Sequence, residues 1–294
     1  MKKQNYRCFH PAIIVASNDA GGANQLINFL KFNHITPKLA VMTGPAEKIW
    51  KNEFPNKSSR TTIELESKID QIITSTGWAT NTEFDAIYFG KKNGIETISI
   101  LDHWVNYSDR FKRNGIEVLP DEIWVVDEYA LANAKRCFSG KKIVLHQDWY
   151  AESLLNNVSK FPESKIPKIL YTLEPVRSFW GRSKLGEFQA LDYFLSNLPK
   201  LGLPKFTKTL LRPHPSEDLI KYEPFLRSSQ EYPVEFAEGS LEKNLSESKF
   251  VAGCQTYAMT LGLKANRKVF CTMPPWAPEC QLPHDDIIHL KNLF

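Results

Sequence analysis

The chain has 294 residues, of which 42% are hydrophobic and 24% charged, with a formal net charge of +4. That composition is globular and sufficient for two cores, while so small a charge, without clustered Lys and Arg, excludes a nucleic-acid partner from the favoured classes. No run of about 20 apolar residues is present to span a bilayer, and five scattered cysteines without a C-x-x-C pair disfavour zinc and a disulfide framework and point to a reducing, cytoplasmic compartment.

In chain order, the basic segment 1–7 precedes an apolar run at 11–16 that is too short for a signal-peptide core and reads as a first buried strand. Helical spacing over 23–32 places Leu26, Ile27 and Leu30 on one face. Strands are predicted at 38–42, 69–74, 95–101, 122–126 and 142–146, and helices at 83–93, closed by Gly94, and at 128–137. The polar, Pro-bearing stretch 159–167 reads as an interdomain linker. It divides an N-terminal domain, 1–160, from a C-terminal domain, 161–294. In the second domain strands are predicted at 168–172, 207–211, 234–236, 250–252 and 268–270, with helices at 187–197, 217–226 and 256–264. Alternation of strand and helix implies parallel pairing, hence an α/β protein of two Rossmann-like, doubly wound domains. Two such domains on one linker are expected to face a cleft, and ligands of doubly wound sheets sit beyond the carboxyl ends of the strands.

Five strand-end segments carry candidate chemistry. After the first strand, Gly21 and Gly22 permit close backbone approach at a helix N-terminus suited to an anion, and Asp19 is a candidate catalytic carboxylate or a cap. Asn24, one turn on, is assigned to an acceptor. After the fourth strand stands Asp102-His103-Trp104-Val105-Asn106-Tyr107. Asp102 is a candidate general base or nucleophile, and His103 a group that orients it or binds the acceptor. Trp104 and Tyr107 are candidates for stacking on sugar faces, with Trp104 in the core as the alternative. In Arg212-Pro213-His214-Pro215 two prolines hold a phosphate-binding guanidinium and a proton-donating imidazole rigidly. Gln255 and Thr256 open a helix where side-chain donors and free N–H groups meet a phosphate. Glu174, after the first strand of the second domain, is assigned to ribose hydroxyls or catalytic groups, with Arg177 nearby for phosphate. Trp78 and Trp124 read as core and Trp276 as packing in a Pro-rich loop. His284-Asp285-Asp286 lacks a second ligand set, so no metal site is expected.

A strand, then Arg212-Pro213-His214-Pro215, then a small-polar strand-to-helix turn some forty residues on resembles the C-terminal half of GT-B glycosyltransferases. More narrowly, it resembles bacterial sialyltransferases, polysialyltransferases and Kdo transferases, which use CMP-sugars. Their His-Pro motif is represented by His214-Pro215. Their serine motif corresponds to Gln255-Thr256, where Thr stands in place of paired Ser. CDP-glycerol glycerophosphotransferases carry a similar Arg-Pro-His-Pro, so the motif points to cytidine nucleotides. The resemblance implies a metal-independent transferase without a cofactor beyond its nucleotide-sugar donor. Arg212, His214 and the helix opening at Thr256 would offset the charge of the departing phosphate. Asp19 or Asp102 would act on the acceptor hydroxyl in an inverting reaction or on the anomeric carbon in a retaining one. The implied partner is an oligosaccharide or glycolipid acceptor in bacterial surface polysaccharide synthesis, met at the inner face of the membrane. The basic N-terminus and exposed aromatics are the candidate peripheral membrane contacts. UDP-N-acetylhexosamine 2-epimerases share the two-domain fold and are the competing class, with a CDP-glycerol-type phosphotransferase as a further enzyme alternative. A non-catalytic nucleotide-sugar binder is the third.

Overall fold

A computed structural model describes residues 12–64, 68–77, 80–162, 166–214, 217–227 and 231–294. The chain divides into two compact units, Met1–Glu152 and Ser153–Phe294. In the first, β1 (Ile13–Ser17), α1 (Ala20–Phe32), β2 (Leu39–Met42), α2 (Gly44–Glu53), β3 (Gln71–Thr74), α3 (Thr82–Lys92) and β4 (Glu96–Leu101) follow in order. They are followed by α4 (Tyr107–Arg110), the short strands β5 (Lys112–Arg113) and β6 (Ile116–Glu117), β7 (Glu122–Val125), α5 (Glu128–Cys137), β8 (Lys142–Leu145) and α6 (Trp149–Leu155), which runs across the boundary into the second unit. Six strands pair in parallel in the order β2-β1-β3-β4-β7-β8. The side-chain period of two divides β1 between two cores. Ile13 and Val15 pack with Leu26, Leu30, Trp124 and Trp149, whereas Ile14 and Ala16 pack with Ile72 and Ala86. A sheet covered on both faces needs strands apolar throughout, which is why β1 reads as a continuous apolar run.

The second unit holds β9 (Lys168–Thr172), α7 (Gly186–Asn197), β10 (Lys208–Arg212), β11 (Val234–Phe236), α8 (Leu241–Glu247), β12 (Phe250–Gly253), α9 (Tyr257–Lys264), β13 (Lys268–Cys271) and β14 (Ile287–His289). Its parallel sheet has the order β11-β10-β9-β12-β13-β14. Counted from its own first strand this is 3-2-1-4-5-6, the Rossmann order. The α/β class with two doubly wound, Rossmann-like sheets is therefore the observed architecture.

Several elements differ from the sequence expectation. In place of a helix at 217–226 stands a 3-10 stretch, Ile220–Arg227, with Pro224 inside it; proline lacks the N–H and crowds the preceding turn, so an α-helix does not propagate. Trp78, expected in the core, lies outside the described residues. The β5–β6 hairpin turns at Asn114 and Gly115, both at positive φ, 50° and 79°, the backbone that an Asn-Gly pair favours. The helices α2, α4, α6 and α8 and the edge strand β14 are additional to the expected elements. Ser240 caps α8 by accepting from the Lys243 N–H.

Leu191 on α7 is fully buried against Phe194 and Leu211 in the second core. Leu191→Ala is expected to lower the unfolding free energy by about 2–5 kcal/mol. Ile220→Ala, at a site 67% exposed, is expected to change it by no more than about 0.5 kcal/mol. Urea denaturation of both variants checks the pair.

Candidate functional site

In each unit the order of strands reverses direction beside the first strand, and the crevice that opens there is where α/β sheets bind ligands. In the first unit the reversal lies between β2-β1 and β1-β3. The residues following β1, β3 and β4 meet there. Asp19 is the N-cap position of α1, with extended backbone. Asp102 ends on the first turn of the same helix: a Cβ on Gly21 would stand 2.6 Å from its Oδ2, so a side chain at that position would have to displace the carboxylate. Gly22 lets α1 close on Ser75, whose Cβ would lie 2.5 Å from an added methyl.

Asp102 is almost enclosed, its side chain 12% exposed, and Arg110 from α4 donates to its Oδ1 at 3.3 Å. The same guanidinium nitrogen donates to the carbonyl and hydroxyl of Thr76, each at 3.1 Å, and the Thr76 hydroxyl donates on to Asp102 at 3.3 Å. Burial raises the pKa of Asp19, and the Asp102 charge raises it further, against the opposing pull of Arg110 and Arg113. Glu83 completes a carboxyl cluster: its Oε1 accepts from the Asn18 N–H at 2.7 Å and the Ser75 hydroxyl at 3.0 Å. Burial also pushes its pKa up. Asp19 and Glu83 converge on Gly77, where a Cβ would lie 2.9 Å from Asp19 Oδ2 and 3.1 Å from Glu83 Oε1.

His103 accepts from the Trp104 N–H through Nδ1 at 3.0 Å, which leaves the proton of the neutral ring on Nε2. Burial lowers its pKa, with Asp102 opposing and Arg110 assisting. Two acceptor assignments are corrected. Trp104 is buried and its Nε1 donates to both oxygens of Asp127, at 3.0 and 2.8 Å. Tyr107 is buried with its ring stacked on Phe138, centroids 6.1 Å apart and planes within 4°. Neither ring has a face to offer a sugar, because both are buried within the protein. Asn24 is half-buried one turn into α1, where its carbonyl accepts from Asn28 Nδ2 at 2.8 Å.

In the second unit the reversal lies at β10-β9-β12, and it gathers Glu174, Gln255 and Thr256. Glu174 Oε2 accepts from the Gln255 N–H at 3.2 Å. Its pKa is raised to about 7, chiefly by burial, with the Gln255 N–H opposing and the charge of Glu187 adding. Thr256 caps α9, accepting from the Ala258 N–H at 3.1 Å, and Gln255 Oε1 accepts from the Gln281 N–H at 3.1 Å. Arg212 ends β10 with part of its fork spent on the protein: Nη1 donates to the Gly239 carbonyl at 3.0 Å and to Asn244 Oδ1 at 2.6 Å. His214 is exposed two residues on; desolvation lowers its pKa, against the charge of Glu217. Pro215 lies outside the described residues. Arg177 is exposed.

Sequence reasoning missed Arg110 and Thr76, which donate to Asp102, and Glu83, the third carboxyl group of the cluster. No local pattern marks them; each acts from a different strand-end or helix, and only parallel pairing of β1, β3 and β4 collects them.

No protein-family model matches the chain, and no curated protein is similar to it in sequence. Solved structures are similar in fold. The UDP-GlcNAc 2-epimerase of Methanocaldococcus jannaschii, in complex with UDP-GlcNAc and UDP, superposes with a TM-score of 0.65 at 13% identity, covering 95% of this chain and 88% of its own. The UDP-GlcNAc 2-epimerase of Neisseria meningitidis bound to UDP-GlcNAc gives 0.60 at 11% identity, over 88% of this chain and 82% of that one. A glycosyltransferase of Rickettsia africae gives 0.57 at 12% identity, over 96% and 84%. The fold is thus of the GT-B type. Among the described residues no helix is long and apolar enough to cross a membrane.

Glu174 makes stability depend on pH. The folded chain holds its proton to about pH 7, whereas the ordinary value is 4.5. The folded state therefore binds the extra proton between these values, and its contribution is full below about pH 4.5 and lost as pH rises through about 7. Glu174→Gln keeps an acceptor for the Gln255 N–H and removes the titration. The unfolding free energy of the wild type relative to this variant is expected to fall by up to about 3 kcal/mol across that window; urea titrations at several pH values read it, and parallel profiles would contradict the assignment.

Proposed function

We propose that the protein is an enzyme acting on a nucleotide-linked sugar, and that it inverts a carbon stereocentre of that sugar in the manner of a UDP-N-acetylglucosamine 2-epimerase. The observation that carries this reading is Asp19 at the N-cap of α1 with Asp102 against Gly21 in the first turn of the same helix, and Arg110 on Asp102. Inverting a C–H centre requires one group to take a proton from one face and another to return a proton to the other. Asp19, its pKa raised by burial, is suited to holding a proton. Asp102, bound to a guanidinium, is suited to receiving one. Two carboxyl groups in unlike surroundings are the usual means of dividing acid from base. His103, with its proton on Nε2, is a neutral donor beside them.

In this reading the second unit holds the nucleotide. Glu174 takes ribose hydroxyls, and Gln255, Thr256 and the opening turn of α9 take phosphate, with Arg212 and His214 at the neighbouring strand end. The UDP-GlcNAc in the two epimerases of similar fold supports a nucleotide sugar as substrate. Glycosyl transfer is the second reading. It is favoured by the Rickettsia africae transferase of similar fold and by the Arg-Pro-His-Pro segment, and in it Asp102 or Asp19 would deprotonate an acceptor hydroxyl. A CMP-sugar is the donor that segment suggests.

Incubation with UDP-GlcNAc in D2O, followed by NMR, tests the proposal. The expected product is the 2-epimer carrying deuterium at C2. Asp19→Asn and Asp102→Asn are each expected to lower kcat by about 10²- to 10⁴-fold. Consumption of a CMP-sugar with transfer to an acceptor would replace epimerisation by the second reading, and turnover of neither would overturn both.

A further inference from the structure

A pocket of about 670 Å³ in the second unit is lined by none of the residues of the candidate site. Its wall is one face of α7, Gln189, Asp192, Tyr193 and Ser196, which follow the i, i+3, i+4, i+7 spacing that aligns side chains along a helix. Its other wall is Trp276 with Arg182. Gln189 builds the floor. It is 5% exposed, and its Nε2 donates to the carbonyls of Phe179 and Lys184 at 2.6 and 2.7 Å. Its Oε1 accepts from Trp276 Nε1 at 2.6 Å. One buried amide thereby fixes the loop before α7 and the indole after β13 in a single arrangement. The site is formed before any ligand arrives, which reduces the ordering cost of binding.

The charges in this pocket are not balanced. Lys184 is bound to Asp192 at 2.8 Å. Arg182 stacks its guanidinium 3.8 Å over the Trp276 ring, and among the described residues its N–H groups meet no protein acceptor. Stacking covers the face of the guanidinium and leaves the in-plane donors, which are shaped for carboxylate or phosphate oxygens. Trp276 remains 41% exposed, with Tyr193 edge-on at 5.9 Å. Beside them lie the hydroxyls of Ser183, Tyr193 and Ser196 and the Asp192 carboxylate. A ligand that matches these walls has C–H faces for aromatic rings, many hydroxyls, and one anionic group.

We infer that this pocket is a second binding site, for a saccharide bearing one carboxylate or phosphate, with the anion on Arg182 and the sugar ring against Trp276 and Tyr193. The inference does not rest on the proposed reaction, since it concerns binding at residues to which that reaction assigns no part. Its volume is within the range of small-molecule sites and leaves room for more than one sugar unit.

Calorimetric titration of the full chain tests it with four probes: methyl β-D-glucuronide, glucose 6-phosphate, methyl β-D-glucoside and inorganic phosphate. Either or both of the anionic sugars are expected to bind at least about tenfold more tightly than the neutral glycoside and than inorganic phosphate, and which of them does so identifies the anion. Arg182→Gln, at an exposed position, is expected to reduce anionic-sugar binding to the level of the neutral glycoside, and Trp276→Ala to weaken it about tenfold. Circular dichroism establishes that each variant is folded. The Trp276 indole N–H resonance, identified by its loss in Trp276→Phe, is expected to shift on titration. Absence of binding, equal binding of neutral and anionic sugars, inorganic phosphate binding as well as the sugars, or undiminished binding by Arg182→Gln would each overturn the proposal. Loss of nucleotide-sugar turnover in the preceding test leaves these titrations unaffected, so the two readings fail separately.

Discussion

Parallel pairing of one strand with neighbours on both sides is the constraint on which the rest of this structure depends. β1 pairs with β2 and β3, and β9 with β10 and β12, all in parallel. Parallel neighbours require crossovers, and crossovers cover both faces of the sheet. The loops leaving the carboxyl ends must then diverge where the order reverses. Asp19, Thr76 and Asp102 belong to three such exits in the first unit, and Glu174, Arg212 and Gln255 to three in the second. Their proximity is a property of topology rather than of local sequence.

Within the first unit, the carboxylates depend on a small number of donors. Arg110 reaches Asp102 and both oxygens of Thr76 with one nitrogen, so charge pairing and loop geometry are set together. Glu83 fixes the Asn18 N–H, one residue before Asp19. Buried carboxyl groups are costly unless hydrogen-bonded or protonated, and both remedies are present: donors surround Asp102, and the pKa of Asp19 and Glu83 is raised. The same economy governs Glu174, for which a single backbone N–H is the partner seen.

Arg182 and Arg110 show how one residue type serves opposite ends. Arg110 is buried, and its donors are consumed by a carboxylate and backbone oxygens, so it shapes its surroundings. Arg182 is stacked on an indole, and among the described residues its side-chain donors meet no protein acceptor. The difference lies in what each meets after folding, since nothing in the flanking sequence separates them.

The sequence by itself determined the strand–helix alternation, and hence two doubly wound sheets, because apolar periodicity and strand-end glycines are local properties. It also placed Asp19, Asp102, Glu174, Gln255 and Thr256 at strand ends, since polar residues directly after a buried strand emerge at its carboxyl end. The helix expected at 217–226 failed on Pro224, whose effect on helix propagation outweighed the apolar spacing. Trp104, open between stacking and core, and Tyr107, expected to stack, are both buried: aromatic residues beside a site look alike in sequence whether they face ligand or core, and burial, which alone distinguishes them, depends on how the chain packs. Arg110, Glu83, the Gln189 clamp and the Arg182–Trp276 stack were decided only by the tertiary structure, because each joins residues that are distant along the chain or held by partners that are, and no one-dimensional pattern encodes a contact that only packing creates.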